Sequence, residues 1–360
     1  MGLKRILAAD AISRLAEFDA VIDARSESEH AEDRLTGAVN WPTLNDEERH
    51  AVGTQYKQES PFEARKRGAV LAARNIARHV EAHLMLQPRD WKPLVYCWRG
   101  GQRSGSLATV LDQIGFSVTV LEGGYREFRR AVLLDLETLP SQFEWRAVIG
   151  RTGSAKSRLL QALHAQGAQV LDLEAIACHK GSVLGPLPGQ PQPAQKRFET
   201  LVWEALRALD PARPVYVEGE SRTIGRLRVP ERLLEGLRAA PCIQVDMPLA
   251  ARVDFLLVDY GYFVADTESF CERLNALREL RGNAVVARWQ EQARAGDLNP
   301  VVRELLTEHY DPVYLRSMQR NFRHFEQAQT LDLPDGRPAT LEAAARALAS
   351  ASAAVPAPAA

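Results

Sequence analysis

The chain has 360 residues, with 46% hydrophobic and 25% charged residues, the composition of an ordinary soluble protein long enough for two domains. Its formal net charge is −1, so no global charge excess calls for nucleic acid. No run of about 18 apolar residues occurs, which excludes an expected membrane helix.

In chain order, Met1-Gly2-Leu3-Lys4-Arg5-Ile6-Leu7 lacks the apolar core and cleavage site of a secretory signal. Position 6 is not Ser or Thr, which argues against myristoylation. Apolar runs at 20–24, 94–96 and 118–121 each stop at a polar or glycine-bearing turn, as buried strands do. Helical stretches fall between, at 62–86 and 104–114. This alternation predicts an α/β domain with a parallel sheet. Leu139-Pro140-Ser141 marks the domain junction. The chain restarts with a strand at 145–149, a Gly-containing loop and a helix from Lys156. Further strands are expected at 170–171, 215–217 and 243–245, and helices dominate 250–325. Residues 185–193 hold too many Pro and Gly for regular structure and read as a mobile loop. The Ala/Ser/Pro tail is expected to be disordered. The expected organisation is residues 1–138, residues 139–348 and a disordered tail at 349–360.

The most informative segment is Cys97-Trp98-Arg99-Gly100-Gly101-Gln102-Arg103-Ser104. A cysteine at the end of a parallel strand, before a Gly-rich loop and a helix, sits where α/β sheets bind ligands. Loop amides and the helix start can converge on an anion. That field, with Arg99 and Arg103 close in sequence, favours a thiolate, which is the nucleophile. Gly100 and Gly101 let the backbone close tightly around a small ligand. Cys97 is therefore the candidate catalytic residue.

Fifty residues on, Gly150-Arg151-Thr152-Gly153-Ser154-Ala155-Lys156-Ser157 matches Gly-x4-Gly-Lys-Ser/Thr except at Ala155. Its amides would cradle phosphates, Lys156 would neutralise them and Ser157 could ligate Mg²⁺. If position 155 needs positive φ, its Cβ costs about 1–2 kcal/mol. Asp172, Glu218 and Glu220 follow predicted strands and are candidate Mg²⁺ ligands or bases.

Local charge is uneven. Residues 57–78 carry six Lys or Arg against two acids, and 221–238 carry five Arg against two Glu. Arg65, Lys66, Arg67, Arg74, Arg222, Arg226 and Arg228 are candidate phosphate or RNA contacts. Tyr56 and Phe62 could stack on unpaired bases. Cys97, Cys178, Cys242 and Cys271 form no Cys-x-x-Cys pair, so neither zinc nor a disulfide frame is suggested, and a cytoplasmic location with free thiols is expected.

Segments 23–30, 37–42 and 121–125 resemble rhodanese (sulfurtransferase) domains. The spacing Cys97-x5-Arg103-Ser104 also resembles the loop of cysteine phosphatases, including rhodanese-fold ones. Ordinary rhodaneses tend to have a loop one residue shorter, and a longer one leaves room for a tetrahedral anion such as phosphate or selenophosphate. The loop alone thus leaves sulfur-type transfer and phosphate hydrolysis both open.

A rhodanese-like domain with Cys-Trp-Arg-Gly-Gly, joined to a P-loop domain, is similar to the tRNA 2-selenouridine synthases. Segments 172–174, 179–182, 217–222 and 310–314 extend the resemblance over almost the whole chain. It implies a rhodanese-like parallel-sheet domain, then a P-loop NTPase-like α/β domain with a helical C-terminal part. It implies a transferase that replaces sulfur by selenium in wobble 2-thiouridine of tRNAs for Lys, Glu and Gln. Selenophosphate would be the donor, supplied by an upstream selenophosphate-producing enzyme. Geranyl diphosphate would be a second co-substrate that alkylates the sulfur first. Cys97 would carry selenium as a perselenide or act on the donor directly; the residues do not separate these roles. The geranyl chain could lie among the helices after Ala250, with Phe255, Leu256, Tyr260, Tyr262 and Phe263 as one lining. The alternative is a cysteine phosphatase or sulfurtransferase domain fused to a small-molecule kinase. A third reading is a non-catalytic RNA-binding scaffold.

Overall fold

The computed structural model describes residues 3–182 and 184–353. The backbone divides into two compact units, Met1–Asp135 with Ala194–Glu204, and Leu136–Pro193 with Ala205–Ala360.

The first unit is built on β1 (Lys4–Ile6), β2 (Ala20–Asp23), β3 (Ala38–Asn40), β4 (Pro93–Tyr96) and β5 (Thr119–Leu121). They form a parallel sheet in the order β1-β5-β4-β2-β3. Strand β4 lies at its centre and is buried at every position, as expected of a strand covered on both faces. Ile22, Val95, Leu107, Leu111 and Val120 share its core. Helix Pro61–His83 starts with Ser60, whose Oγ accepts from the Glu63 amide, and with Pro61, whose fixed φ suits the first turn.

The chain segment 194–204 is returned to this unit from far along the sequence. Thr200 Oγ1 donates to Asp33 Oδ2 (2.9 Å), which also accepts from Tyr125 Oη (2.8 Å). Trp203 is buried edge-on against Phe128 at 5.6 Å, and its Nε1 donates to Asp135. No local pattern at 194–204 announces this, because the helix is amphipathic like any other.

The second unit holds β6 (Trp145–Ile149), β7 (Gln169–Leu171), β8 (Val215–Glu218), β9 (Thr223–Ile224), β10 (Leu227–Arg228), β11 (Cys242–Asp246) and β12 (Gln329–Asp332). Five of them make a parallel sheet in the order β12-β11-β6-β8-β7, and β9 and β10 form a small antiparallel ribbon. Leu159 and Leu163 of helix Lys156–Ala165, and Leu341 and Ala345 of helix Pro338–Ala353, pack with Val148 and Val245. The helices from Leu249 onward bury a separate cluster around Leu274, Val286, Trp289 and Val301.

The expected central strands are present within a residue or two. β1, β3 and β12 were not expected, and each is an edge strand with exposed or half-buried positions, so it needs no apolar run. The run from Ala349, expected to be disordered, is helical to Ala353, and residues 354–360 lie outside the described residues.

Candidate active sites

Cys97 follows β4 and is buried at 3% exposure. Its loop is held by backbone: the Tyr125 amide donates to the Cys97 carbonyl (2.8 Å) and the Arg126 amide to the Trp98 carbonyl (3.1 Å). This approach requires glycine at 124, where a Cβ would lie 2.2 Å from the Cys97 carbonyl oxygen. Helix Gln102–Ile114 opens directly after Gly101, so its first amides face the loop. Ser104 is buried and its Oγ donates to Cys97 Sγ at 3.1 Å.

Beneath the loop lies a buried ion pair. Arg25 donates to Asp23 through Nε and Nη2 (2.9 and 2.7 Å), and His30 Nδ1 lies 3.0 Å from the same carboxylate. Burial opposes charge on Asp23, but His30 and Arg25 outweigh it and hold the carboxyl below its usual range. The Arg25 guanidinium also stacks 4.0 Å over the Tyr125 ring, and Tyr125 packs against Trp98 at 5.4 Å. Arg99 is exposed. Arg103 turns away to Glu29 (2.6 Å), which also accepts from Ser26 and meets Arg49 at 3.0 Å. Arg103 is thus neutralised outside the loop, an arrangement ill-suited to a phosphatase arginine that must clasp the phosphate.

The second site follows β6. Ala155 is in the left-handed region at φ 61°, the case that the sequence had left open. The Gly150 amide donates to Tyr314 Oη at 2.6 Å. Because β6 pairs in parallel with β8, Val148 opposite Glu218, the two strand ends open side by side. Ser157 Oγ therefore reaches Glu218 (2.9 Å) and Glu174 (3.2 Å), and Lys156 Nζ lies 3.4 Å from Glu218. Burial disfavours the Lys156 charge, but Glu218 chiefly outweighs it and raises the pKa.

Glu174, Glu218 and Glu220 bring ligand oxygens within 4.8 Å of one another, an oxygen-only set suited to a hard divalent cation. Burial first, then the neighbouring Glu218, pushes Glu174 and Glu220 far above the ordinary carboxylate range. Asp172 lines the same cavity, but its Oδ1 caps the next helix by accepting from the Ala175 amide. Glu174, not singled out from sequence, completes the cluster. Its signal was position: the second residue of the short helix Leu173–Ala177 that Asp172 caps.

These residues line a cavity of about 530 Å³ that also takes in Lys180, Asp259, Tyr260 and Tyr310. An apolar pocket lined by Leu256, Phe263, Phe270, Leu298, Val302 and others shares Thr152, Ser182, Leu256, Tyr260 and Tyr310 with it. Of the five aromatic and aliphatic candidates, Leu256, Tyr260 and Phe263 line this pocket, Phe255 lines the larger cavity, and Tyr262 lines neither. Leu305–Tyr310 forms a π-helical turn at the shared wall, a conformation often found at functional sites.

Arg65, Lys66, Arg67, Arg74 and Phe62 are exposed on helix Pro61–His83, and Tyr56 is exposed on the preceding helix Asp46–Gln58. Lys66 pairs with Glu63, whereas Arg67 and Arg74 make no ion pair among the described residues. Arg222 is held by Glu231 and Arg226 by the Gln192 carbonyl. Arg228 is exposed on β10. The four cysteines are free. No helix among the described residues is long and apolar enough to cross a membrane.

The family model for a rhodanese-like domain matches residues 7–131, and that for the tRNA 2-selenouridine synthase AAA domain matches 143–280. The tRNA 2-selenouridine synthase of Nitrosomonas europaea is 35% identical over 244 residues, 67% of this chain and 63% of that relative's length. The one from Sulfurovum sp. strain NBC37-1 is 31% identical over 329 residues, 84% of this chain and 89% of the relative. Among solved structures, a rhodanese-related protein from Thermoplasma volcanium is 19% identical and aligns with 36% of this chain and 92% of its own, at a TM-score of 0.24.

Proposed function

The chain belongs to the tRNA 2-selenouridine synthase family, and on that footing we propose that it replaces sulfur by selenium in wobble 2-thiouridine through an S-geranyl intermediate. The tRNAs would be those for Lys, Glu and Gln. The observation that carries this reading is the joining of a phosphate-loop cavity to an apolar pocket through five shared residues. A diphosphate with a hydrocarbon tail uses both spaces, whereas a nucleotide would leave the apolar one unfilled.

In the first step the loop amides and Lys156 hold the diphosphate of geranyl diphosphate. The thiocarbonyl sulfur attacks the first carbon of the chain, the C–O bond breaks, the electron pair leaves on diphosphate, and the N3 proton of the base is released to water. Lys156 opposes that developing charge. Mg²⁺ would be held by Glu174, Glu218, Glu220 and Ser157 and would supply further neutralisation of the diphosphate.

In the second step selenophosphate occupies the Cys97 loop. Selenium attacks C2 of the pyrimidine, the C2–S bond breaks, and geranylthiol departs with a proton. Water takes the phosphoryl group as inorganic phosphate. Alkylation is what makes the sulfur a workable leaving group. Cys97 engages the donor from the end of β4, with the Ser104 hydroxyl hydrogen-bonded to its sulfur. We place RNA phosphates on the exposed basic face of helix Pro61–His83, where Arg67 and Arg74 have no acidic partner among the described residues. The donor would come from a selenophosphate-producing enzyme in the same cytoplasmic compartment.

The test is mass spectrometry of wobble nucleosides after incubating 2-thiouridine tRNA with the protein, geranyl diphosphate and selenophosphate. Selenouridine is expected with both substrates, and S-geranyl-2-thiouridine when selenophosphate is withheld. Unmodified tRNA in every tube, with each substrate intact, would sink the reading.

A further inference from the structure

The large cavity is lined by groups of both signs. Asp172, Glu174, Glu218 and Glu220 supply acids, while Arg158 and Lys180 bring cations that the phosphate loop itself does not require. Both cations meet on one acid. Arg158 Nη2 lies 2.8 Å from Asp259 Oδ1, and Lys180 Nζ lies 2.5 Å from Asp259 Oδ2 and donates to the Asp259 carbonyl at 2.8 Å. Burial opposes charge on Asp259, but Lys180 and Arg158 outweigh it and keep the carboxyl below its usual range. One carboxylate between two cations leaves this trio one positive charge in surplus.

The segment carrying Lys180 is held in place with care. Cys178 takes the left-handed region at φ 50°, a conformation that costs a non-glycine residue about 1–2 kcal/mol. Gly181 has φ 64°, and a Cβ there would lie 2.5 Å from Glu174 Oε1, so the backbone rests directly on the acidic cluster. Lys180 Nζ then sits 4.0 Å over the Tyr260 ring, which forms part of the wall shared with the apolar pocket. A lysine needed only to neutralise Asp259 requires none of this, since Arg158 already does so.

We propose that Lys180 and Arg158 form a second phosphate subsite in this cavity, distinct from Lys156, and that Asp259 is an internal anion which an incoming phosphate displaces. The inference rests on the reading of the cavity as a diphosphate site. The phosphate it takes is either the second group of a diphosphate or a phosphodiester of the RNA.

Titration of the full chain with inorganic pyrophosphate, and separately with tRNA, tests this in wild type, Lys180→Gln, Lys180→Arg, Asp259→Asn and Lys156→Ala. Lys180→Gln should weaken pyrophosphate binding at least about tenfold, a difference of about 1.4 kcal/mol, with Lys180→Arg close to wild type. Asp259→Asn should tighten it, because the competing charge is gone; this gain cannot come from a folding defect. Weakening confined to tRNA would assign the subsite to an RNA phosphodiester. Unchanged binding of both ligands by Lys180→Gln and Asp259→Asn, with pyrophosphate binding lost in Lys156→Ala, would overturn the second subsite and leave the first reading standing. Wild-type pyrophosphate binding by Lys156→Ala would instead overturn the diphosphate reading itself.

Discussion

Two loops in this chain follow the central strand of a five-stranded parallel sheet, yet they treat their cations in opposite ways. In the first, Arg103 is drawn out to Glu29, and what the loop presents is a sulfur, a serine hydroxyl and backbone amides. In the second, Lys156 stays inside, beside a buried carboxylate cluster and a wide cavity. The shared topology places both where α/β sheets bind ligands, and the side chains then divide the labour. A small cradle around a nucleophile suits a step at one atom. A roomy cavity of mixed charge suits holding a large anion while it departs.

Breaking one loop should spare the other's chemistry. The largest effect is expected from Cys97→Ser, which should cut selenium transfer by at least about a thousandfold. Geranyl transfer, followed separately by nucleoside mass spectrometry without selenophosphate, should remain near wild type. Equal loss of both steps would mean that the loops do not act independently. Lys156→Ala should be milder, slowing geranyl transfer about a hundredfold to a thousandfold, as removal of one charge-stabilising donor does. tRNA that is already S-geranylated should still be selenated by this variant.

The acidic cluster sharpens the contrast through pH. Glu174 is pushed up to about 10 and Glu220 up to about 8 from an ordinary 4.5, by burial and then by Glu218. The fold therefore keeps protons that the unfolded chain has already lost. Stability from these groups is complete below about pH 4.5 and is lost as pH rises through about 8 and then 10. In urea titrations between pH 6 and 8, Glu174→Gln should flatten the decline in stability by about 1 kcal/mol per pH unit. A slope identical to wild type would show that Glu174 is charged in the fold.

Much of this contrast was legible in the sequence because it is local. Both loops carry their glycines, cation and helix start within eight residues, and the strand before each is mostly apolar, Pro93–Tyr96 throughout and Trp145–Ile149 apart from Arg146. Partners supplied by distant segments were not legible. Glu29 diverts Arg103 from 74 positions away, and Asp259 meets Arg158 from 101 positions away. The segment 194–204 joins the first unit through contacts such as those of Thr200 and Trp203, whose residue types are unremarkable alone. Edge strands were missed for a different reason. β1 and β12 are exposed on most positions, and pairing in the finished sheet, not hydrophobic pattern, makes them strands.

The smallest effect concerns Ala155, where the second loop departs from the expected glycine. At φ 61° its Cβ costs about 1–2 kcal/mol. Against that, glycine would lose about 0.5–1 kcal/mol more backbone entropy on folding. The alanine methyl is also buried beside Leu159 and Val148, and burial of one such group contributes about 0.8 kcal/mol. These contributions nearly cancel, so Ala155→Gly should change the unfolding free energy by less than about 1 kcal/mol, which explains how a left-handed alanine persists here. Ala155→Val adds a β-branch where the backbone tolerates it least and should be clearly destabilising. Urea midpoints of the two variants decide the matter: a large loss in Ala155→Gly would mean that the buried methyl, and not the backbone conformation, holds this loop.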